Sequence, residues 1–284
     1  MDQDRRSFFV TIGAATIGLA TSRSLVSELV PWQSGNAKLS RIGLEMYTVR
    51  REAAADLAGT LARVAKIGYK EVEFAGYHNH PATEVRDLLQ QNGLTAPAAH
   101  IAITAIQTAP DKTFEEAKTI GHTWIVVPSL PSGKRETVDD WKRVADQFNV
   151  AAKQVKDAGF RFGFHNHNDV FKKIGDVVPI DVLMKETDPS LVSYEMDVYW
   201  VVNGGGDPVD LLTRYPNRFR LLHLKDSMGA PDHKMANVGS GTIDFKAVLA
   251  RAKGIEHYFF EYDNPPDAFS DIAASYSYLS KLEY

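Results

Sequence analysis

Cysteine is absent from all 284 residues. That removes disulfides, thiolate metal ligands and cysteine nucleophiles together, so any metal site must be built from histidine, carboxylates and other oxygen donors. An excess of positive charge is also missing. With 32 Lys and Arg against 36 Asp and Glu the formal net charge is −4, which gives no electrostatic reason to bind nucleic acid. The apolar stretch at residues 8–20 is broken by Gly13 and Gly18 and falls short of the roughly 20 apolar residues that cross a bilayer comfortably. Glycine is lacking after the first expected strand, where Met46-Tyr47-Thr48-Val49-Arg50 stands in place of a phosphate-binding fingerprint. That argues against an open, doubly wound nucleotide fold. What is present is ordinary globular material, 44% hydrophobic and 24% charged, enough to bury a large core without staples.

The chain opens with Arg5-Arg6 just ahead of that apolar stretch. Adjacent arginines before a moderate apolar run look like a twin-arginine export signal. The expectation is a signal segment and linker over residues 1–35, with the folded domain over 36–284. The protein would leave the cytoplasm already folded, through the twin-arginine machinery, for the periplasm or beyond. An uncleaved anchor or a chance arginine pair is the plainer alternative.

Five places share one local grammar, a helical stretch closed by glycine and followed at once by a short apolar strand. The glycines are Gly68, Gly93, Gly121, Gly159 and Gly254, placed where a helix stops most cheaply. Three more strands fit the gaps, at 42–46, 191–197 and 219–224. Eight strands alternating with helices over about 250 residues predict a single-domain (β/α)8 barrel.

In such a barrel the chemistry sits at the C-terminal ends of the strands. Those ends read Glu45, Glu73, His100, Pro128, His165/His167, Glu195/Asp197, His223 and Glu261/Asp263. Seven of the eight are ionisable, which loop-capping alone explains poorly. The two-residue strand period puts His165 and His167 on one face, and Glu195 and Asp197 likewise. One nitrogen or oxygen donor from each of four successive strands can enclose a divalent ion. A mixed histidine and carboxylate set suits Mn, Zn, Fe, Co or Mg.

From about residue 40 onward the chain resembles the xylose isomerase-like barrel superfamily, in particular its sugar phosphate isomerase/epimerase group. The resemblance is carried by residues 68–74, His165-Asn166-His167, Asp197-Val198-Tyr199-Trp200, His223-Leu224-Lys225-Asp226, the Val238-Gly239-Ser240-Gly241-Thr242-Ile243-Asp244-Phe245 loop and Glu261. It implies a metal held by the strand-five residue, Asp197, His223 and Glu261. Epimerases of the group use a glutamate on strand five. Here His165 stands in that slot, with His167 as second choice or as a substrate donor. Two metal-bound glutamates exchange protons on opposite faces of the carbon in those epimerases. The histidine therefore leaves more room for elimination, hydration or one-base isomerisation of a sugar, keto-sugar or polyol through an enediolate.

On this reading the catalytic groups are Glu261 for proton transfer, His165 at the metal and Lys225 against a developing oxyanion. The plainer role for Lys225 is an ion pair with Asp226. Glu45, Glu73, His100, His167 and Glu195 would orient substrate hydroxyls, or simply make hydrogen bonds at loop bases. Trp200, with Trp124 and Tyr199, can offer a face to a sugar ring, though packing is the commoner fate of such aromatics. Tyr77-His78-Asn79-His80 can cover the site, and Asp244 is placed to cap the helix that follows it. Dimers and tetramers are common in the resembled group. Two rival readings stay open. One is a sugar-binding barrel without catalysis. The other is an abasic-site-type endonuclease, which would want a basic groove that the net charge does not suggest.

Overall fold

A computed structural model describes residues 37–284; the paired arginines and the apolar stretch after them lie outside the described residues. The strands are β1 (Gly43–Glu45), β2 (Glu71–Phe74), β3 (Thr95–His100), β4 (Trp124–Val127), β5 (Arg161–His165), β6 (Val192–Asp197), β7 (Phe219–Leu224), β8 (Asp226–Ser227), β9 (Met235–Ala236) and β10 (His257–Phe260). Eight of them close into a parallel barrel in the order β1-β10-β7-β6-β5-β4-β3-β2, while β8 and β9 form a separate antiparallel pair beside the mouth. This is the (β/α)8 barrel that the glycine grammar predicts. Gly121 and Gly159 carry φ of 99° and 91°, a region where a side chain on Cβ is strained, and each ends a helix just before a strand.

Two apolar cores result. The larger lies between the strands and the surrounding helices and includes Leu44, Val72, Phe74, Ile125, Phe162, Phe164, Met196 and Phe260. The smaller lies inside the barrel, where Ala98, Trp124, Val126, Leu221 and Phe259 pack together. Gly43 is required there, because a Cβ at that position would sit 2.4 Å from the Phe259 ring. Arg161 stacks its guanidinium 3.8 Å over Trp124 and pairs with Glu256.

The loop after β7 is tied down by one buried carboxylate. Asp226 accepts from the backbone N–H groups of Gly239, Gly241 and Ile243 at 2.9, 3.0 and 3.2 Å. A Cβ on Gly241 would lie 2.3 Å from Asp226 Oδ1, so the glycine of this loop serves a close approach rather than a phosphate. Asp244 then caps the helix Phe245–Arg251, accepting from Ala247 N–H.

Candidate active site

The strand period that puts Leu221 and Phe259 into the barrel core puts His223 and Glu261 one step higher, at the mouth. The same step carries Ala98 to His100 and Glu195 to Asp197. Glu45, Glu73, Glu195, Asp197 and His223 are fully buried, and His165, Lys225 and Glu261 nearly so. Charges buried this densely are costly unless each is paired. They form two linked groups.

The first group surrounds His223. Its Nε2 lies 2.7 Å from Glu73 Oε2 and 3.2 Å from Glu195 Oε2, and its Nδ1 lies 2.8 Å from Glu261 Oε2. His100 Nε2 also reaches Glu195, at 2.9 Å. The second group surrounds Lys225, whose ammonium sits 3.0 Å from Asp197, 2.8 Å from Glu261 and 2.7 Å from Asp263. The lysine does not pair with its neighbour Asp226, which is occupied by the loop amides. Asn166 bridges β5 and β6, accepting from Asp197 N–H and donating to Asp197 O at 3.2 Å each. Asp197 Oδ1 in turn caps the short helix Val198–Asn203 by accepting from Trp200 N–H.

The donor atoms of His165, Asp197, His223 and Glu261 all lie within 4.8 Å of one another. Both ring nitrogens of His165 and Oδ2 of Asp197 are buried with no hydrogen-bond partner. His165 Nε2 stands 3.5 Å from that oxygen, and Lys225 lies near it as an ion pair outside hydrogen-bond geometry. Orphaned buried polar atoms carry a free-energy penalty, and a cation at their meeting point would remove it. The residues therefore fit a divalent ion. The Glu73 carboxylate on Nε2 of His223 leaves Nδ1 as the nitrogen facing the cluster, the outer-shell arrangement that orients metal-bound imidazoles.

The electrostatics set the two imidazoles apart. Burial pushes His165 down to about 3, so its imidazole is neutral, as a ligand must be. Burial also opposes charge on His223, yet Glu195, Glu261 and Glu73 together hold it well above the usual histidine range. Burial, then the neighbouring Glu195, raises Glu73 to about 8 against the pull of His223. On Glu261 the burial penalty is overcome by Lys225 first and His223 next, which hold the carboxyl well below its ordinary range. Asp263 is raised to about 6, by burial against the attraction of Lys225.

A cleft of about 540 Å³ opens above this ring, and His100, His165, His167, Glu261 and Asp263 line it together with Tyr47. The model of the xylose isomerase-like TIM barrel family matches residues 61–278 of the chain. The chain belongs to that family. An inosose dehydratase of Geobacillus kaustophilus is 24% identical over 248 residues, covering 79% of this chain and 76% of that protein. A sugar phosphate isomerase/epimerase from Parabacteroides distasonis superposes with a TM-score of 0.75 at 28% identity, covering 89% of this chain and 98% of the other. The IOLI protein, whose crystal structure holds a zinc atom, superposes with a TM-score of 0.67 over 84% of this chain and 95% of its own, a likeness of fold alone at 15% identity.

Within this family site the expected residues separate by depth. His165, His167, His100 and Glu261 reach the cleft. Glu45, Glu73 and Glu195 lie beneath it. Glu45 Oε1 accepts from Tyr47 N–H at 2.9 Å and so caps the turn Met46–Val49, while Glu73 and Glu195 hold the imidazoles. Trp200 is half-buried with its ring 5.4 Å from that of His167 and its indole N–H unpartnered. Trp124 belongs to the floor of the barrel, and Tyr199 donates its hydroxyl to His233 O in the loop between β8 and β9; both are packing residues. His80 pairs with Glu84 and Tyr77 folds back onto His122, so that segment stands apart from the ring. Tyr47 and Asp263 are cleft residues with titratable side chains that carry no role in the sequence reading of the site. Each lies two residues beyond a strand-end carboxylate, Glu45 or Glu261, and that spacing is the signal that finds them.

Proposed function

We propose that the protein is a divalent-metal-dependent enzyme that removes a proton next to a carbonyl of a sugar, keto-sugar or polyol and completes either an elimination or an isomerisation. The observation that carries this reading is the meeting of His165, Asp197, His223 and Glu261 within 4.8 Å, with both nitrogens of His165 unpartnered. These four would hold the ion, whose contribution when bound is Lewis-acid polarisation of the carbonyl.

The protein's own groups supply the rest. Glu261 is ionised, faces the cleft and is placed to take the proton. Lys225 holds positive charge directly behind it, between Asp197 and Asp263, and keeps the Glu261 carboxyl ionised. Asp263, raised toward neutrality, is the second carboxyl on the cleft wall and can return a proton to a leaving hydroxyl. Both carboxyls come from one strand end, so proton removal and delivery share a side. That favours elimination or one-base isomerisation over two-sided epimerisation, and it fits the names of the inosose dehydratase relatives. The export reading of the N-terminal segment belongs to the same proposal, because the twin-arginine route moves proteins that have already folded around a metal.

The test is elemental analysis of the purified protein beside His223→Ala and Asp197→Asn, followed by assays of dehydration and isomerisation on inososes and keto-sugars. About one equivalent of divalent metal, lost in both variants together with turnover, is the expected result. A wild-type protein that takes up none from Mn, Zn or Co would overturn the proposal and favour a binding barrel without catalysis.

A further inference from the structure

Lys225 faces the oxygens that a bound metal would need. Its ammonium stands 3.0 Å from Asp197 Oδ2 and 2.8 Å from Glu261 Oε2. These atoms are the ones turned toward the two histidines of the set. Asp197 Oδ2 lies 3.5 Å from His165 Nε2, and Glu261 Oε2 lies 2.8 Å from His223 Nδ1. Lys225 is 1% exposed, and two cations crowded onto shared oxygens away from water repel strongly. The ammonium and a divalent ion therefore compete for the same two carboxylates.

The contacts of the ammonium are unequal. It donates a hydrogen bond to Asp263 Oδ1 at 2.7 Å. Asp197 Oδ2 accepts no hydrogen bond, and Glu261 Oε2 shares one with His223 Nδ1. Asp263 stands outside the set of four donors and lines the cleft. The rings of Trp200 and Tyr199 lie 5.5 and 6.0 Å from the ammonium, at the outer limit of cation–π attraction. The lysine thus has one firm partner and two aromatic neighbours that a bound metal would leave to it.

We infer that Lys225 is a positioning residue that keeps the metal site assembled in its unloaded form. Its ammonium stands in for the ion between Asp197 and Glu261, and it withdraws to Asp263 when a divalent ion takes their oxygens. Loading the site is then an exchange of one cation for another, and Asp263 sets the balance by drawing the ammonium off the two ligands. This rests on the functional reading above and adds a competition to it.

The experiment is titration of the whole chain, stripped of metal, with Mn and with Zn ions, each read against a chelating dye. Wild type, Lys225→Met, Asp263→Asn and the double variant are compared. Lys225→Met is expected to bind about tenfold or more tighter, the scale of removing one competing buried charge. Asp263→Asn should bind more weakly than wild type, since the ammonium loses the partner it withdraws to. In the Lys225→Met background the same substitution should weaken binding far less, the non-additivity of groups that act through one another. If Lys225→Met is too unstable to purify, the double variant carries the comparison and should bind tighter than Asp263→Asn. An affinity of Lys225→Met equal to or below wild type, or an equal loss from Asp263→Asn in both backgrounds, overturns the inference and leaves the functional reading standing. A wild type that takes up no metal beside a Lys225→Met variant that does would remove the functional reading and keep the competition. No uptake by any of them removes both.

Discussion

Two layers of the barrel interior, one strand step apart, are built on opposite principles. The lower layer, with Ala98, Trp124, Val126, Leu221 and Phe259, is dry and apolar. The upper layer carries Glu45, Glu73, Glu195, Asp197, His223 and Lys225 at the same depth of burial. Leu221 and His223 sit two residues apart on β7, and Phe259 and Glu261 span the end of β10, so backbone geometry cannot account for the contrast. The lower layer gains from removing apolar surface from water. The upper layer loses by desolvating charge and recovers only part of that loss through pairing. A chain that keeps such a layer keeps it for chemistry. Lys225 is fully paired among three carboxylates, whereas His165, with neither nitrogen satisfied, and Asp197 Oδ2 beside it are the points a ligand would complete.

Substitutions in the two layers should therefore separate activity from stability. Asp197→Asn keeps an oxygen to cap the helix Val198–Asn203 but removes the charge from the cluster. The expected result is loss of bound metal and a fall in kcat/KM of about 10³-fold or more, with little change in the unfolding midpoint of the metal-free protein. Elemental analysis and steady-state rates check it. Leu221→Ala, one layer down, should do the opposite. It should cost about 3 kcal/mol in urea unfolding through the cavity it leaves, while metal content at low temperature stays at the wild-type level. If Leu221→Ala strips the metal, or Asp197→Asn leaves it bound, the two layers are not independent and the division above is wrong.

Half of this division is legible in the sequence. Strand ends, the glycine-closed helices and the barrel can be read there because they rest on local rules: a two-residue period and a residue type that tolerates positive φ. The four clustered donors are legible for the same reason, since each stands at a strand end. Depth is not. Glu73 and Glu195 look no different in sequence from Glu261, yet they end up under the imidazoles while Glu261 reaches the cleft, because strand stagger around the barrel sets height and no local pattern records it. Asp226 shows the same limit. Beside Lys225 in sequence, it points the other way and collects amides from a loop 13 to 17 residues further on.

Glu73 offers the next sharpening of the comparison, since it belongs to the upper layer but lies beneath the cleft, against His223. Glu73→Gln keeps its shape and can still meet Nε2 of His223 through the amide oxygen, but it loses the negative charge that strengthens Nδ1 as a donor. Metal affinity should fall by about 10- to 100-fold, measured by competition with a chelating dye, and turnover at saturating metal should fall less. An unchanged affinity would make Glu73 a packing residue.

The smallest test uses a histidine outside both layers. His122 is buried like His223, but its partners are the Ala96 carbonyl and the Tyr77 hydroxyl rather than carboxylates. Burial therefore wins, and it lowers His122 from 6.5 to about 4, where the acids around His223 drive that ring the other way. With the folded value depressed, the unfolded chain binds the proton more readily than the native one between pH 6.5 and 4. The stabilisation from neutral His122 is complete above about pH 6.5 and is lost as pH falls toward 4. At pH 5 it should amount to a loss of about 2 kcal/mol relative to neutral pH, at 1.36 kcal/mol per pH unit. His122→Gln cannot titrate, so urea unfolding of the variant should be flatter than wild type by that amount between pH 7 and 5. Parallel curves would mean that the ring is already charged in the native state, and that burial alone does not separate the two histidines.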